Sequence, residues 1–169
     1  MRCPLPASLM MLGLAACATP EQPPEYLMAV VSATATARVA PSGDSKKVMV
    51  LPTGTVMAIE DGWDGWYLAD LDAYGDFGKG WLYHDFLTLD PPSRQDGSVW
   101  PLPAILKNDS VVRDEYGVWA DQLNVLEIGT RVRVVERKIG WYRIDQPLAG
   151  WLRHDSVYID VKAFLHPGK

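Results

Sequence analysis

Val132 and Val134 alternate with Arg131 and Arg133, the period-two pattern of a strand with one buried and one wet face. Trp141-Tyr142-Arg143-Ile144 alternates again, and Val56-Met57-Ala58-Ile59 repeats the first pattern less cleanly. Gly54-Thr55, Gly65, Gly80, Gly129-Thr130, Gly140 and Gly150 punctuate these short runs and supply turns between them. No window carries a long amphipathic helical period. Short strands roughly 8–12 residues apart with turn signals between them predict an all-β chain built from small barrels or sandwiches.

The pattern occurs twice. Shifting the chain by 75 residues lays Arg38 on Arg113, Val50-Leu51 on Val125-Leu126, Gly54-Thr55 on Gly129-Thr130 and Gly65-Trp66-Tyr67 on Gly140-Trp141-Tyr142. Beyond that the shift becomes 70, with Gly80-Trp81-Leu82 on Gly150-Trp151-Leu152 and His84-Asp85 on His154-Asp155. The first copy therefore holds five extra residues around Leu71 to Gly78. A repeat this long is a whole domain rather than a solenoid unit. The expected organisation is a first domain over 26–90, a Pro-rich linker over 91–103, a second domain over 104–160 and a C-terminal tail over 161–169.

The order Val112-Arg113, Gly129-Thr130, Gly140-Trp141-Tyr142, Gly150-Trp151-Leu152 resembles the bacterial SH3-like domain. The first copy shows Arg38, Pro41, Gly54-Thr55, Gly65-Trp66-Tyr67 and Gly80-Trp81-Leu82 in the same order. It departs in its longer loop, and the second copy has Tyr116 where Pro41 would align. The resemblance implies two tandem small SH3-like β-barrels, and a role in binding cell-wall peptide or glycan.

The N-terminus changes the compartment. Arg2 precedes the apolar run Leu9 to Ala16, which is too short for a membrane span. The run ends in Leu14-Ala15-Ala16-Cys17, which resembles a bacterial lipobox. That resemblance implies a lipoprotein signal peptide over 1–16, lipidation at Cys17 and a tether over 17–25; a plain secretory signal is the alternative. Ala18 follows the cysteine where Asp often marks inner-membrane retention, so the resemblance leans toward the outer membrane, with the barrels facing the periplasm. With Cys3 removed, Cys17 is the sole cysteine, so neither an intrachain disulfide nor a Cys-based zinc site is expected.

The formal net charge of −5 and the lack of a basic run argue against nucleic acid as a partner. From Tyr26 to Asp90 four bases face nine acids; from Ala104 to Asp160 eight bases face nine acids. Arg131, Arg133, Arg137, Lys138, Arg143 and Arg153 make the second copy the expected partner of the carboxylates on peptidoglycan stem peptides.

Three kinds of chemistry compete for the site. Twinned His84-Asp85 and His154-Asp155 suggest acid–base work, but duplication in two small barrels favours a structural role. There each Asp would accept backbone N–H bonds of a short helical turn. Asp70 to Asp76 faintly echoes a calcium loop, yet Tyr74 stands where an oxygen ligand belongs, so a solvated acidic loop is expected. No enzyme activity, metal or cofactor is therefore expected. The aromatic sets carry more: alternation puts Trp66 and Tyr67 on opposite faces, so one packs while the other lies in a groove. Trp63, Trp66, Tyr67, Trp141 and Tyr142, with Arg131 and Arg133, are the expected ligand contacts. The alternative is an envelope scaffold that recruits a protein partner without wall binding.

Overall fold

The computed structural model describes residues 21–167. The expected signal peptide, Cys17 and the first part of the expected tether lie outside the described residues. The chain is all-β, with two seven-stranded antiparallel sheets and one short helix. The first barrel-like sheet contains β1 (Leu27–Val31), β2 (Ala35–Arg38), β3 (Lys47–Leu51), β4 (Val56–Trp63), β5 (Trp66–Asp70), β6 (Lys79–Tyr83) and β7 (Leu87–Leu89). The second contains β8 (Leu102–Leu106), β9 (Ser110–Arg113), β10 (Gln122–Leu126), β11 (Arg131–Lys138), β12 (Trp141–Gln146), β13 (Gly150–Arg153) and β14 (Val157–Ile159). Both follow one strand order, β3-β2-β6-β5-β4-β1-β7 and β10-β9-β13-β12-β11-β8-β14. Each strand of the second sheet thus repeats its counterpart in the first.

Alternation sets what each strand buries. In β1, Leu27, Ala29 and Val31 point inward, and in β2 Ala35 and Ala37 do the same. Val132 and Val134 are buried on β11 while Arg131 and Arg133 face outward, as the period-two pattern predicts. Two glycines are required by close approach. A Cβ on Gly80 would lie 2.6 Å from Leu71 Cδ1, and one on Gly150 would meet Val112 Cγ1 and sit 2.8 Å from the Arg113 carbonyl oxygen. The glycine of each Gly-Trp pair therefore leaves room for a close neighbour, Leu71 together with Ala37 of β2 at Gly80, and Val112 and Arg113 of β9 at Gly150.

Two boundaries move. Leu102 and Pro103, expected in the linker, open β8, with Pro103 paired to Arg133. The expected tail contains α1 (Val161–Leu165), whose first turn is capped by the Asp160 carboxylate accepting from Ala163 N–H at 3.0 Å. Val161 and Phe164 are buried on it, and Gly62 of β4 leaves room for Val161, whose Cβ would lie 3.0 Å from a Cβ placed there.

The two barrels share one continuous apolar core and exchange tyrosines. Tyr67 of β5 donates to the Ile159 carbonyl (3.0 Å) and accepts from Ile159 N–H (2.8 Å) on β14. Its counterpart Tyr142 of β12 accepts from Leu89 N–H (3.0 Å) on β7. Ile159 and Leu89 are themselves counterparts, so the contact is pseudo-symmetric. Lys107–Asp85 and Arg137–Asp90 ion pairs flank it. Burial pushes the Tyr142 phenol up to about 12 and Tyr67 well above its usual value, which keeps both neutral hydrogen-bonding groups.

Candidate functional site

The outward face of β2 forms one wall of a cleft. Because Ala35 and Ala37 point into the core, Thr36 and Arg38 point out. Thr34 precedes them in the turn, and Gly43 lies in the loop that follows. The opposite wall comes from β5 and the end of β6, where Trp66 pairs with Tyr83 across the strands. Their rings lie 5.2 Å apart and tilted by 60°, and Phe86 meets Tyr83 edge-on at 6.4 Å. These residues enclose about 410 Å³.

The electrostatics are one-sided. Arg38 is the charged residue of the lining, and no carboxylate, imidazole or thiol joins it among the described lining residues. Its guanidinium donates to the Ser45 carbonyl at 2.6 Å, while Ser45 Oγ accepts from Ala40 N–H at 2.8 Å. The loop thus fixes the arginine and leaves the rest of its donor fork free for a carboxylate. An aromatic wall, two threonine hydroxyls and one held cation suit stacking on an extended or ring-shaped ligand bearing a negative charge.

The second barrel loses this cleft by substitution. Thr34, Thr36, Tyr83 and Phe86 become Asp109, Val111, Arg153 and Ser156. Arg153 pairs with Asp155 at 2.8 Å, and Arg113 donates to the Ala120 carbonyl as Arg38 does to Ser45. Trp141, the counterpart of Trp66, is buried at 8% exposure.

The structure does not gather the expected ligand contacts into one place. Trp66 lines the cleft, as the alternation argument allows. Tyr67 and Tyr142 are corrected: both are 2% exposed, and their hydroxyls are spent between the barrels. Trp141 is likewise core. Trp63 is exposed at the end of β4 with Lys162 Nζ 5.2 Å over its ring, beside a small cleft of about 110 Å³. Arg131 and Arg133 sit by Pro101, Pro103 and Gln146 in a third recess. Arg133 already holds Asp145 through two bonds of 2.7 and 2.6 Å, which depresses the carboxylate and leaves little of the fork for a ligand. Thr34, Thr36, Tyr83 and Phe86 were not among the expected contacts. The signal for Thr36 was present, since small buried Ala35 and Ala37 alternate with it.

The His-Asp pairs do not cap their turns. The 3₁₀ turns His84–Phe86 and His154–Ser156 have no side-chain cap. Asp85 instead binds Lys107 across the barrels, and Asp155 binds Arg153. His84 is 7% exposed; burial first, then the Lys107 charge, lower its imidazole to about 4 against the pull of Asp85. In the acidic loop, Asp70 accepts from Asp72 N–H (2.9 Å) and Asp72 from Gly78 N–H (2.7 Å), so these carboxylates fasten the turn. No cluster of three metal-ligating side chains occurs among the described residues.

No family model matches the chain, and no curated protein matches it. Among solved structures, it is similar to NlpC2 from Trichomonas vaginalis at 12% identity and a TM-score of 0.33, covering 79% of this chain and 48% of that one. The endolysin LysPBC5 CBD matches at 16% identity and a TM-score of 0.31, over 83% of this chain and 98% of that one. An NlpC/P60 family protein from Bacillus cereus matches at 15% identity and a TM-score of 0.30, over 78% and 56%. The chain thus spans about half the length of the first of these.

Proposed function

We infer that this chain is a cell-envelope binding protein, held to a membrane by lipid on Cys17. Its first barrel takes a peptidoglycan stem peptide or glycan into the cleft of Arg38, Trp66 and Tyr83, without chemistry. The observation that carries the reading is the combination of an aromatic wall with a fixed, unopposed guanidinium in one concavity. Aromatic stacking supplies contact area at low entropic cost, and the guanidinium supplies orientation for a terminal carboxylate. The lipobox-like Leu14 to Cys17 supports the anchor, and two or more acyl chains make such anchoring stable.

The test is retention of the chain from Ala18 to Lys169, which keeps every described residue, on purified peptidoglycan across a salt series. Retention is expected to weaken with salt and to fall roughly tenfold with Trp66→Ala or Arg38→Ala. A chain that stays in the supernatant at low salt overturns wall binding, and a protein partner then becomes the reading to pursue.

A further inference from the structure

Two loop tips of the second barrel carry large apolar side chains almost wholly in water. Trp119, between β9 and β10, is 95% exposed, and Ile139, in the β11–β12 turn, is 94% exposed. Tyr116 and Val118 beside Trp119 are more than half exposed. The loops touch: Lys138 Nζ lies 4.3 Å from the Tyr116 ring and 5.1 Å from that of Trp151. The first barrel is an internal control. Its loops have the same positions relative to the strands, and they carry Pro41, Gly43, Asp44 and Asp64 in place of Tyr116, Val118, Trp119 and Ile139. The fold therefore does not require apolar tips.

These side chains project rather than line a groove, which suits a soft apolar phase better than an extended peptide. Where the N-terminal chain leaves the molecule points the same way. Glu21 accepts from Gln95 N–H at 2.9 Å and faces Arg94, and Pro24 to Tyr26 share a recess with Asp90 to Ser93. Asp90 in turn holds Arg137, two residues before Ile139. Cys17 precedes Glu21 by four residues, at most about 14 Å of extended chain. A lipid on Cys17 would bring a bilayer against this end of the molecule.

We propose that Trp119 and Ile139 form a membrane-docking patch that inserts into the interfacial region of the bilayer carrying the anchor. This turns the second barrel onto the lipid while the first keeps its cleft for the wall. Trp and Tyr suit the headgroup boundary because one end is apolar and the other polar. Asp114, Glu115 and Asp121 share the Trp119 loop, and Lys138 and Arg143 already face Glu136. The patch therefore has no cationic surplus, and binding rests on apolar insertion rather than on anionic headgroups. The proposal rests on the lipid-anchor reading for its physiological setting, but not for its measurement.

The chain from Ala18 to Lys169, which has no lipid, is sedimented with phosphatidylcholine vesicles at millimolar lipid in low and high salt. Salt-insensitive co-sedimentation is expected. It should drop at least about fivefold in Trp119→Ser/Ile139→Ser and persist in Ile128→Ser, which alters an exposed isoleucine outside both loops. Far-UV circular dichroism should not change, because the altered side chains pack against little. No vesicle binding by the parent chain overturns the proposal, as does equal binding by the double variant. Loss of peptidoglycan retention in that variant, with vesicle binding unchanged, overturns it too and makes the tips wall contacts. Whether Cys17 is acylated is read separately, by mass spectrometry of the full chain from its native membrane. Failure of the anchor and failure of the patch are thereby distinguished.

Discussion

The two barrels share a strand order, a shared position for the Gly-Trp-Tyr strand and even the arginine bond to the loop after β2 or β9. They differ where strands end. The first presents Thr34, Thr36, Trp66, Tyr83 and Phe86 around a cleft. The second spends the same places on Arg153–Asp155 pairing and a buried Trp141, and puts Trp119 and Ile139 at its tips. The two copies match in what closes the barrel and differ in the residues around its ends. The charge count led the other way, because the arginines of the second copy are mostly paired: Arg133 with Asp145, Arg137 with Asp90, Arg153 with Asp155.

The largest expected effect separates the barrels by pH. Buried His84 titrates near 4 when folded against an ordinary value near 6.5. A lowered folded value means the unfolded chain binds the proton first. The stability His84 confers is therefore complete above about pH 6.5 and is lost as pH falls toward 4, by at most about 3 kcal/mol. Urea midpoints between pH 7 and 4 should show this loss, and His84→Gln should flatten it. Asp145 and Asp155, held low by arginines, add their own loss only at still lower pH.

Gly150→Ala should cost about 2–3 kcal/mol in denaturant midpoint, because its Cβ meets the Arg113 backbone carbonyl, which cannot turn aside. Gly80→Ala should cost less, since there the neighbour is the end of the Leu71 side chain. A negligible cost at either position would break the account of why both Gly-Trp pairs exist. Next comes the tyrosine exchange. Tyr67→Phe strands both the N–H and the carbonyl of Ile159, whereas Tyr142→Phe strands the N–H of Leu89 alone. About 2 kcal/mol is expected for the first and about 1 for the second, by chemical unfolding followed through tryptophan fluorescence. The smallest effect concerns Arg133→Ala, an exposed paired arginine, which should shift stability by less than about 1 kcal/mol and leave wall retention unchanged.

Much of this was legible in the residues. The period-two runs, the glycine punctuation and the self-match at 75 and 70 residues gave the all-β class, and the paired strands β1/β8 to β7/β14 follow that self-match. Alternation also separated Trp66 from Tyr67. It could not say which face was core, because Tyr67 is buried through a partner strand, β14, that lies far away in sequence. The cleft was harder to see for the same reason. Its walls come from β2 and from β5 and β6, and the cross-strand registers Arg38–Trp81 and Trp66–Tyr83 bring them together. Asp85 was read as a local cap, but Lys107 on the other barrel claims it, a contact that no local window contains.

The cleft proposed to take the wall ligand is formed by the first barrel, and the second carries different residues at the matching positions. The most direct measurement gives the first barrel the second's residues. Tyr83→Arg with Phe86→Ser, in the chain from Ala18 to Lys169, is compared with Arg131→Ala/Arg133→Ala for retention on purified peptidoglycan. The first pair of changes is expected to lower retention roughly tenfold or more while the arginine pair leaves it intact. Retention that survives the first pair and disappears with the arginines would contradict it, and would move the site to the second barrel.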